Sequence, residues 1–196
     1  MPSFSRPSTQ YQITRSFWGG NYNLTSGGTT VYHVESSSLT PGKPDLTFHA
    51  GRDARARVVG VCKFRHFSSD TEIGIGSPRS GMRWERLARE GIMSVRYSFR
   101  VTIGRTVETF TWKKTHSMGR GIMGNLKLVR ERDAQIMAVI SGSSGFTSRS
   151  GQMDLYCDSF GSQFKFMVVI TGMALRERLR RASAAASGGG GGGGGA

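Results

Sequence analysis

The chain has 196 residues and carries 27 Lys and Arg against 13 Asp and Glu, a formal charge of +14. This length suits one domain, and its two widely separated cysteines exclude a disulfide-rich scaffold. The charge predicts affinity for polyanions, whether nucleic acid, anionic lipid or acidic protein, but a solubilising surface would also explain it. Cys62 and Cys157 lie in apolar runs and are predicted to be buried thiols. The first apolar cluster is short and is broken by Arg15, so we expect no secretory signal and a cytoplasmic protein.

Both ends of the chain are predicted to lie outside the folded core. Residues 1–10 are rich in Ser and Pro, and we expect a flexible N-terminus. Residues 182–196 contain only Ala, Ser and Gly, which have almost nothing apolar to bury, so a disordered tail is predicted there. The folded domain is therefore expected to cover residues 11–181.

Strand patterns dominate this domain. Met93–Ile103 alternates apolar and polar residues over its whole length, which predicts a long half-buried strand, and Arg105–Lys114 follows it after a turn. The other predicted strands are Thr30–Glu35, Asp45–His49, Arg57–Phe67, Glu72–Ile75, Met82–Leu87, Leu126–Arg132, Gln135–Ile140 and Gln152–Phe160. Turn-forming clusters separate them, and ten to twelve strands without intervening helices predict a barrel or a sandwich.

The end of the domain has a different pattern. Nearly every residue of Phe164–Leu175 is apolar, so a helix here, over about 163–181, would have no polar face and must be buried all round. Twelve helical residues span about 18 Å, too short for the roughly 30 Å hydrocarbon core of a bilayer. We therefore predict a helix inside a β-barrel and no transmembrane span. Arg176, Arg178, Arg180 and Arg181 suit its C-terminus.

This order of elements, many strands and then FKFMVVITGMALRERLRR, resembles the tubby C-terminal-like superfamily. The superfamily includes tubby, the phospholipid scramblases and the LURP-one-related proteins, and the chain looks most like its small uncharacterised fungal members. The resemblance covers about Thr14–Arg181. It implies a mainly β fold, in which a closed antiparallel barrel of about twelve strands surrounds a central hydrophobic C-terminal helix. The acidic loop and the Cys-rich and Pro-rich flanks of scramblases are missing, so lipid translocation is not expected.

The resemblance also implies a candidate site. Tubby-like domains bind phosphoinositide with a Lys-x-Arg pair on an early strand, and Lys63 and Arg65 match that pair here. In a strand both would face away from Cys62 and Phe64, and two cations on one face can hold a phosphate. The alternative is that both are ordinary solvated residues on the outer face.

Other motifs give weaker indications. Gly119–Gly124 matches GxGxxG, but a strand-like segment follows it, so a glycine-rich loop is predicted rather than a nucleotide site. His33, His49, His66 and His116 are scattered, which predicts no metal site, and no cofactor is expected. No nucleophile elbow is present, and the chain is not expected to be an enzyme. The acidic residues flanked by arginine are predicted to form surface pairs: Glu85, Glu90, Glu131 and Asp133.

Two tryptophans lie beside cations, Trp84 between arginines and Trp112 before Lys113 and Lys114. This combination could stack bases and hold phosphates, which makes the two lysines secondary basic candidates. The interpretation we favour is that both rings face the core and the cations face outward.

The predicted function is non-enzymatic: binding of an anionic phospholipid or phosphoinositide, or adaptor work at a membrane surface, by a monomer that is cytoplasmic or peripheral at membranes. The alternatives are a basic barrel that binds nucleic acid and a protein that binds a small ligand.

Overall fold

A computed structural model describes residues 6–18, 20–38, 40–65, 68–91, 95–115, 126–142 and 150–188. In these residues, twelve antiparallel strands form a closed barrel, and one α-helix, α1 (Gly161–Gly188), follows them. Each strand pairs with its neighbours in the chain, and β1 pairs with β12 to close the wall. The strands are β1 Thr9–Arg15, β2 Tyr22–Ser26, β3 Thr29–Ser36, β4 Leu46–His49, β5 Val58–Phe64, β6 Thr71–Ser77, β7 Gly81–Arg89, β8 Arg96–Ile103, β9 Thr106–Lys114, β10 Leu126–Arg130, β11 Ile136–Gly142 and β12 Ser150–Leu155. A short 3₁₀ helix, Asp158–Phe160, precedes α1. The predicted fold class is confirmed.

Alternation of side chains produces the wall. In β8, Tyr97 and Phe99 are buried, whereas Arg96 and Arg100 are exposed, as the period of two predicts. The strand begins three residues later than predicted, and residues 92–94 lie outside the described part of the chain.

Two strands at the beginning of the chain were not predicted. β1 starts at Thr9, so the expected flexible N-terminus of residues 1–10 extends two residues too far. In β1, Tyr11 and Ile13 face the core between polar neighbours. Its hydrogen bonds run to β12, where Thr9 lies opposite Leu155. This partner is about 140 residues away, and no local pattern indicates it.

The helix also ends later than predicted. α1 continues past Arg181 to Gly188, and its residues 182–187 are exposed. Alanine has the strongest helix propensity, and the alanine-rich segment extends a helix already started by the buried part. The prediction of a disordered tail is therefore wrong for residues 182–188, which are helical. Residues 189–196 lie outside the described part of the chain.

The apolar segment of α1 fills the barrel. Every residue of Phe164–Leu175 is buried except the half-buried Lys165. Two glycines allow the helix and the wall to approach closely: a Cβ at Gly60 in β5 would lie 2.8 Å from Ile170 Cδ1, and one at Gly172 would lie 2.7 Å from Ile140 Cδ1. Because such distances are shorter than van der Waals contact, larger side chains there would push the helix from the wall.

The core contains few polar side chains, and one polar contact inside it joins the helix to the wall. Trp112 faces inward, as predicted, and its indole Nε1 donates a hydrogen bond to Thr171 Oγ1 on α1 over 3.0 Å. Cys62 and Cys157 are both buried free thiols, as predicted, and burial raises the pKa of each. No helix in the described residues has the length and apolar character needed to cross a bilayer.

Substitution of the helix core tests this packing. Val169→Asp places a carboxylate where only 1% of the side chain is accessible, so we expect a loss of about 3 kcal/mol or more in the free energy of unfolding. Urea denaturation followed by circular dichroism measures it. Ala184→Asp, on the exposed part of the same helix, is the control and should cost about 0.5 kcal/mol. Similar small costs at both positions would contradict a buried helix.

Removal of residues 182–196 tests the end of the helix. Residues 182–187 are exposed and contribute little apolar burial, so the truncated protein should melt within about one degree of the full chain. Differential scanning calorimetry measures this, and a clear loss of stability would mean that the segment docks on the barrel.

Candidate functional site

The C-terminal half of α1 leaves the barrel at one end, which we call the carboxyl rim. It is formed by the loops after β1, β3 and β5, at 16–21, 37–45 and 65–70, of which residues 19, 39, 66 and 67 are outside the described part. The helix contacts two of these loops directly. Arg178 Nη2 donates a hydrogen bond to the Ser68 carbonyl over 2.9 Å, and Arg181 Nη2 donates one to the Ser37 carbonyl over 3.0 Å.

A buried carboxylate organises the carboxyl rim. Glu177 is fully buried and accepts hydrogen bonds from the Tyr22 hydroxyl over 2.5 Å and from the Ser36 hydroxyl over 3.2 Å. Arg180 and Arg181 each donate to it over 2.7–2.8 Å. Burial alone would raise the pKa of Glu177, but these hydrogen bonds and charges outweigh it and lower the pKa to about 2. The helix is thereby tied to β2 and β3.

Two arginines of α1 fix the end of β5. Arg181 Nη1 donates to Asp45 Oδ1 over 2.5 Å, and the Phe64 backbone N–H donates to Asp45 Oδ2 over 2.7 Å. The Arg181 guanidinium lies 4.9 Å from the centre of the Phe64 ring, and that of Arg178 lies 5.5 Å from it. Because Phe64 is held inward in this way, the preceding residue, Lys63, faces outward.

Lys63 lies on the ring of Trp84. Its Nζ is 4.9 Å from the ring centre, and the ring is 45% exposed on the outer face of the barrel. The β6–β7 register places Trp84 opposite Gly74, where a Cβ would come within 3.1 Å of the ring. The prediction that Trp84 faces the core is therefore wrong. The residues directly before and after Trp84 in β7 point to the opposite face of the sheet. Because Trp84 has charged residues on both sides in the sequence, the pattern does not indicate which face is the inner one.

The structure brings Lys63 and Arg65 to one groove, which we call the first groove and which has a volume of about 750 Å³. Arg65 is occupied there: its Nε donates to Glu72 over 3.0 Å. The described residues that line the first groove carry three cations and three carboxylates, so their formal charges cancel. These residues are Lys63, Arg65, Ser68, Asp70, Glu72, Trp84, Glu85 and Arg86.

Lys63 also lines a second groove, of about 490 Å³, on its other side. Here Lys43 is the other cation, and the loop contributes the hydroxyl groups of Ser37, Ser38 and Thr40. The only carboxylate among the described lining residues is that of Asp45, and both its oxygens are already bonded to Arg181 and to the backbone of Phe64. In the described part of the chain, neither lysine forms an ion pair, so the second groove has excess positive charge.

Lys43 is not among the candidate residues that the sequence predicts. It follows Pro41 and Gly42 in a segment whose composition predicts only a turn between strands. The sequence shows only a single lysine in a polar loop before a strand. Such a lysine is common in any basic protein and does not by itself indicate a binding site. Only the pairing of β4 with β5 brings this loop beside Lys63.

The secondary candidates do not join this site. Lys113 in β9 lies between Arg96 of β8 and Lys127 of β10, which are its cross-strand partners. Its Nζ is 3.9 Å from Glu131. Lys114 belongs to the other face of β9, because successive residues of a strand point in opposite directions. Four strand spacings separate β9 from β5, about 19 Å along the wall. The basic residues of the outer surface are therefore spread over several patches.

The acidic residues form ion pairs as predicted. Glu85 pairs with Arg83 over 3.2 Å and Glu90 with Arg96 over 3.5 Å. Asp133 pairs with Arg130 and accepts a hydrogen bond from its Nε over 3.0 Å. Glu131 pairs with Lys113, as described above.

Two histidines meet across β3 and β4, although they are distant in sequence. His33 and His49 have ring centres 6.1 Å apart, and their nitrogens contact Asn23, Glu35 and the Ala56 carbonyl. The described residues contain no group of three or more His, Cys, Asp or Glu arranged to hold a metal ion. His66, His116 and the Gly119–Gly124 motif lie outside the described part.

Comparison with protein-family models, with curated proteins and with solved structures finds no match for this chain. A function for this chain must therefore be inferred from the geometry of the carboxyl rim.

The depressed pKa of Glu177 predicts how stability depends on pH. Its contribution is complete above the ordinary value of 4.5 and is lost as the pH falls towards about 2. This difference is worth about 3 kcal/mol. Between pH 5 and pH 2 the wild type should therefore lose about that much more stability than Glu177→Gln, as measured by urea denaturation at each pH. Glu131→Gln, at an exposed ion pair, is the control and should keep the wild-type slope. Equal slopes for wild type and Glu177→Gln would contradict the assignment.

Proposed function

We propose that this protein is a non-enzymatic module that binds the phosphate groups of an anionic phospholipid head group, of the phosphoinositide type, in the second groove. The observation that carries the proposal is the pair Lys43 and Lys63, which line one groove without a carboxylate partner in the described part of the chain. The tubby-like resemblance stated for the sequence supports it, because Lys63 belongs to the Lys-x-Arg pattern.

The chemistry of the second groove fits a phosphate ester. Two ammonium groups supply compact positive charges with several donors each, and the Ser37, Ser38 and Thr40 hydroxyls can donate to the remaining phosphate oxygens. Contact with Trp84 limits the motion of Lys63, so less conformational entropy is lost on binding. These groups bind and orient an anion, and none of them is arranged as a nucleophile with a base.

Arg65 has a secondary role in this proposal. It is hydrogen-bonded to Glu72, so a phosphate in the first groove would compete with that carboxylate. The positive charge of the first groove is also cancelled by its three carboxylates. We therefore expect Lys63 and Lys43 to dominate binding, and Arg65 to contribute less than its place in the sequence pattern implies.

The second candidate is binding of a nucleic-acid backbone along the row Arg96, Lys113 and Lys127. These three cations lie side by side on neighbouring strands of the outer face. Such binding would depend steeply on salt and would not distinguish one anionic ligand from another. Arg96 and Lys113 already contact Glu90 and Glu131, which weakens this candidate.

The test is co-sedimentation with vesicles that contain either a phosphoinositide or phosphatidylserine at matched surface charge. We expect wild type to prefer the phosphoinositide, and Lys43→Gln or Lys63→Gln to weaken that binding by about ten- to a hundredfold, the effect of losing a hydrogen bond to a charged group. Both substitutions are at exposed positions and should leave thermal stability nearly unchanged.

Arg100→Gln is the matched control, since it removes one exposed cation from the outer face of β8, away from both grooves. It should lower binding to both vesicle types slightly and keep the preference. Equal losses from all three variants, without lipid preference, would leave only a basic surface. Tight binding of RNA with a steep salt dependence, lost on replacement of Lys127, would instead favour the second candidate.

A further inference from the structure

Two large apolar side chains are exposed on the β1–β2 loop of the carboxyl rim. Phe17 is 63% exposed and Trp18 is 84% exposed, and their ring centres are 5.1 Å apart in an edge-to-face arrangement. Exposed aromatic pairs at a loop tip lose favourable burial energy unless something covers them, so they indicate a contact surface.

Hydrogen bonds hold the backbone of the described residues of this loop, 16–18, 20 and 21. The Ser16 backbone N–H donates to the Asn21 carbonyl over 2.8 Å, which closes the base of the loop. Arg15 Nε donates to the Gly20 carbonyl over 3.1 Å, and the Ser16 hydroxyl donates to the Trp18 carbonyl. These hydrogen bonds involve backbone groups of the loop, and both aromatic side chains remain largely exposed to solvent. A loop that is already ordered pays less entropy when it binds a surface.

The loop is continuous with the proposed head-group site. Asn21 Oδ1 accepts a hydrogen bond from the Ser36 backbone N–H over 3.1 Å, which joins the loop to β3. A third groove, of about 390 Å³, contains both Asn21 and Lys43, and Lys43 also lines the second groove with Lys63. The loop that carries the two aromatic residues therefore adjoins the groove lined by Lys43 on the carboxyl rim.

We infer that Phe17 and Trp18 insert into the interfacial layer of an anionic bilayer while Lys43 and Lys63 hold a lipid head group. This inference rests on the proposed function and adds a second, apolar contact to it. Trp is favoured at the boundary between head groups and acyl chains, because its ring is apolar and its indole N–H remains hydrogen-bonded. The neighbouring lysines complement the negative surface potential of such a membrane, which a purely apolar protein partner would not require.

The experiment compares two probes on the full chain: vesicles of phosphatidylcholine with a phosphatidylinositol bisphosphate, and soluble inositol trisphosphate. Trp18→Ala should weaken vesicle binding about tenfold, because one partly buried aromatic contact is lost, and should leave binding of the soluble probe unchanged. Lys63→Gln should weaken both. Val107→Ala, which removes another exposed apolar side chain at the opposite end of the barrel, should change neither.

Fluorescence locates the ring independently. Vesicles should shift the wild-type emission to shorter wavelength, and bromine-labelled acyl chains should quench it. Trp18→Phe should bind vesicles nearly as well but lose most of both signals, although Trp84 and Trp112 remain.

Several results would overturn the inference. Vesicle binding by Trp18→Ala equal to that of wild type, or quenching in Trp18→Phe as strong as in wild type, would do so while the head-group site stands. Loss of soluble-probe binding in Trp18→Ala would place the ring at the ligand instead. Weakening of RNA binding by Trp18→Ala, with vesicle binding unaffected, would indicate base stacking. Failure of wild type to bind any anionic vesicle would remove both the proposed function and the inference.

Discussion

The structure depends on one constraint: a helix that is apolar on every side must be covered on every side. A single sheet could cover only one face of Phe164–Leu175, whereas a closed barrel covers all of them. Closure also gives every strand two neighbours, which shields strand edges from aggregation, although β7 and β8 pair only at Ala88–Ser98 and Arg89–Tyr97. The close approach at Gly60 and Gly172 shows how little space is left between the helix and the wall. Barrel and helix are therefore mutually dependent parts of one core.

The same constraint creates the charged end of the molecule. Once the apolar segment is enclosed, the arginine-rich end of α1 must emerge between loops, and its buried carboxylate, Glu177, needs cationic partners. Arg180 and Arg181 supply them, and Arg181 reaches on to Asp45. Asp45 is thereby saturated, which leaves the lysines of the second groove without a competing carboxylate. In this way the hydrogen bonds and ion pairs that hold the end of the helix also determine the net charge of the second groove.

The candidate site shows how far local patterns reach. Alternation correctly indicated that Lys63 faces away from Cys62, because the two-residue period is a property of the strand itself. It gave no information on partners, so Arg65 was grouped with Lys63 although Glu72, in the next strand, holds it. Lys43 and the Phe17–Trp18 pair lie in loops, where no period indicates which residues meet in space. Their importance comes from the pairing of β3, β4 and β5 and from the hydrogen bonds that close loop 16–21.

Local sequence patterns were sufficient to predict a strand-rich fold, a helix buried on all sides and the outward face of Lys63. Each of these follows from neighbouring residues through the geometry of a strand or a helix. Three features became apparent only in the folded chain: the pairing of β1 with β12, the outward position of Trp84 and the proximity of Lys43 to Lys63. These depend on contacts between distant segments and on register, where a shift of one residue would reverse the face of every side chain in a strand.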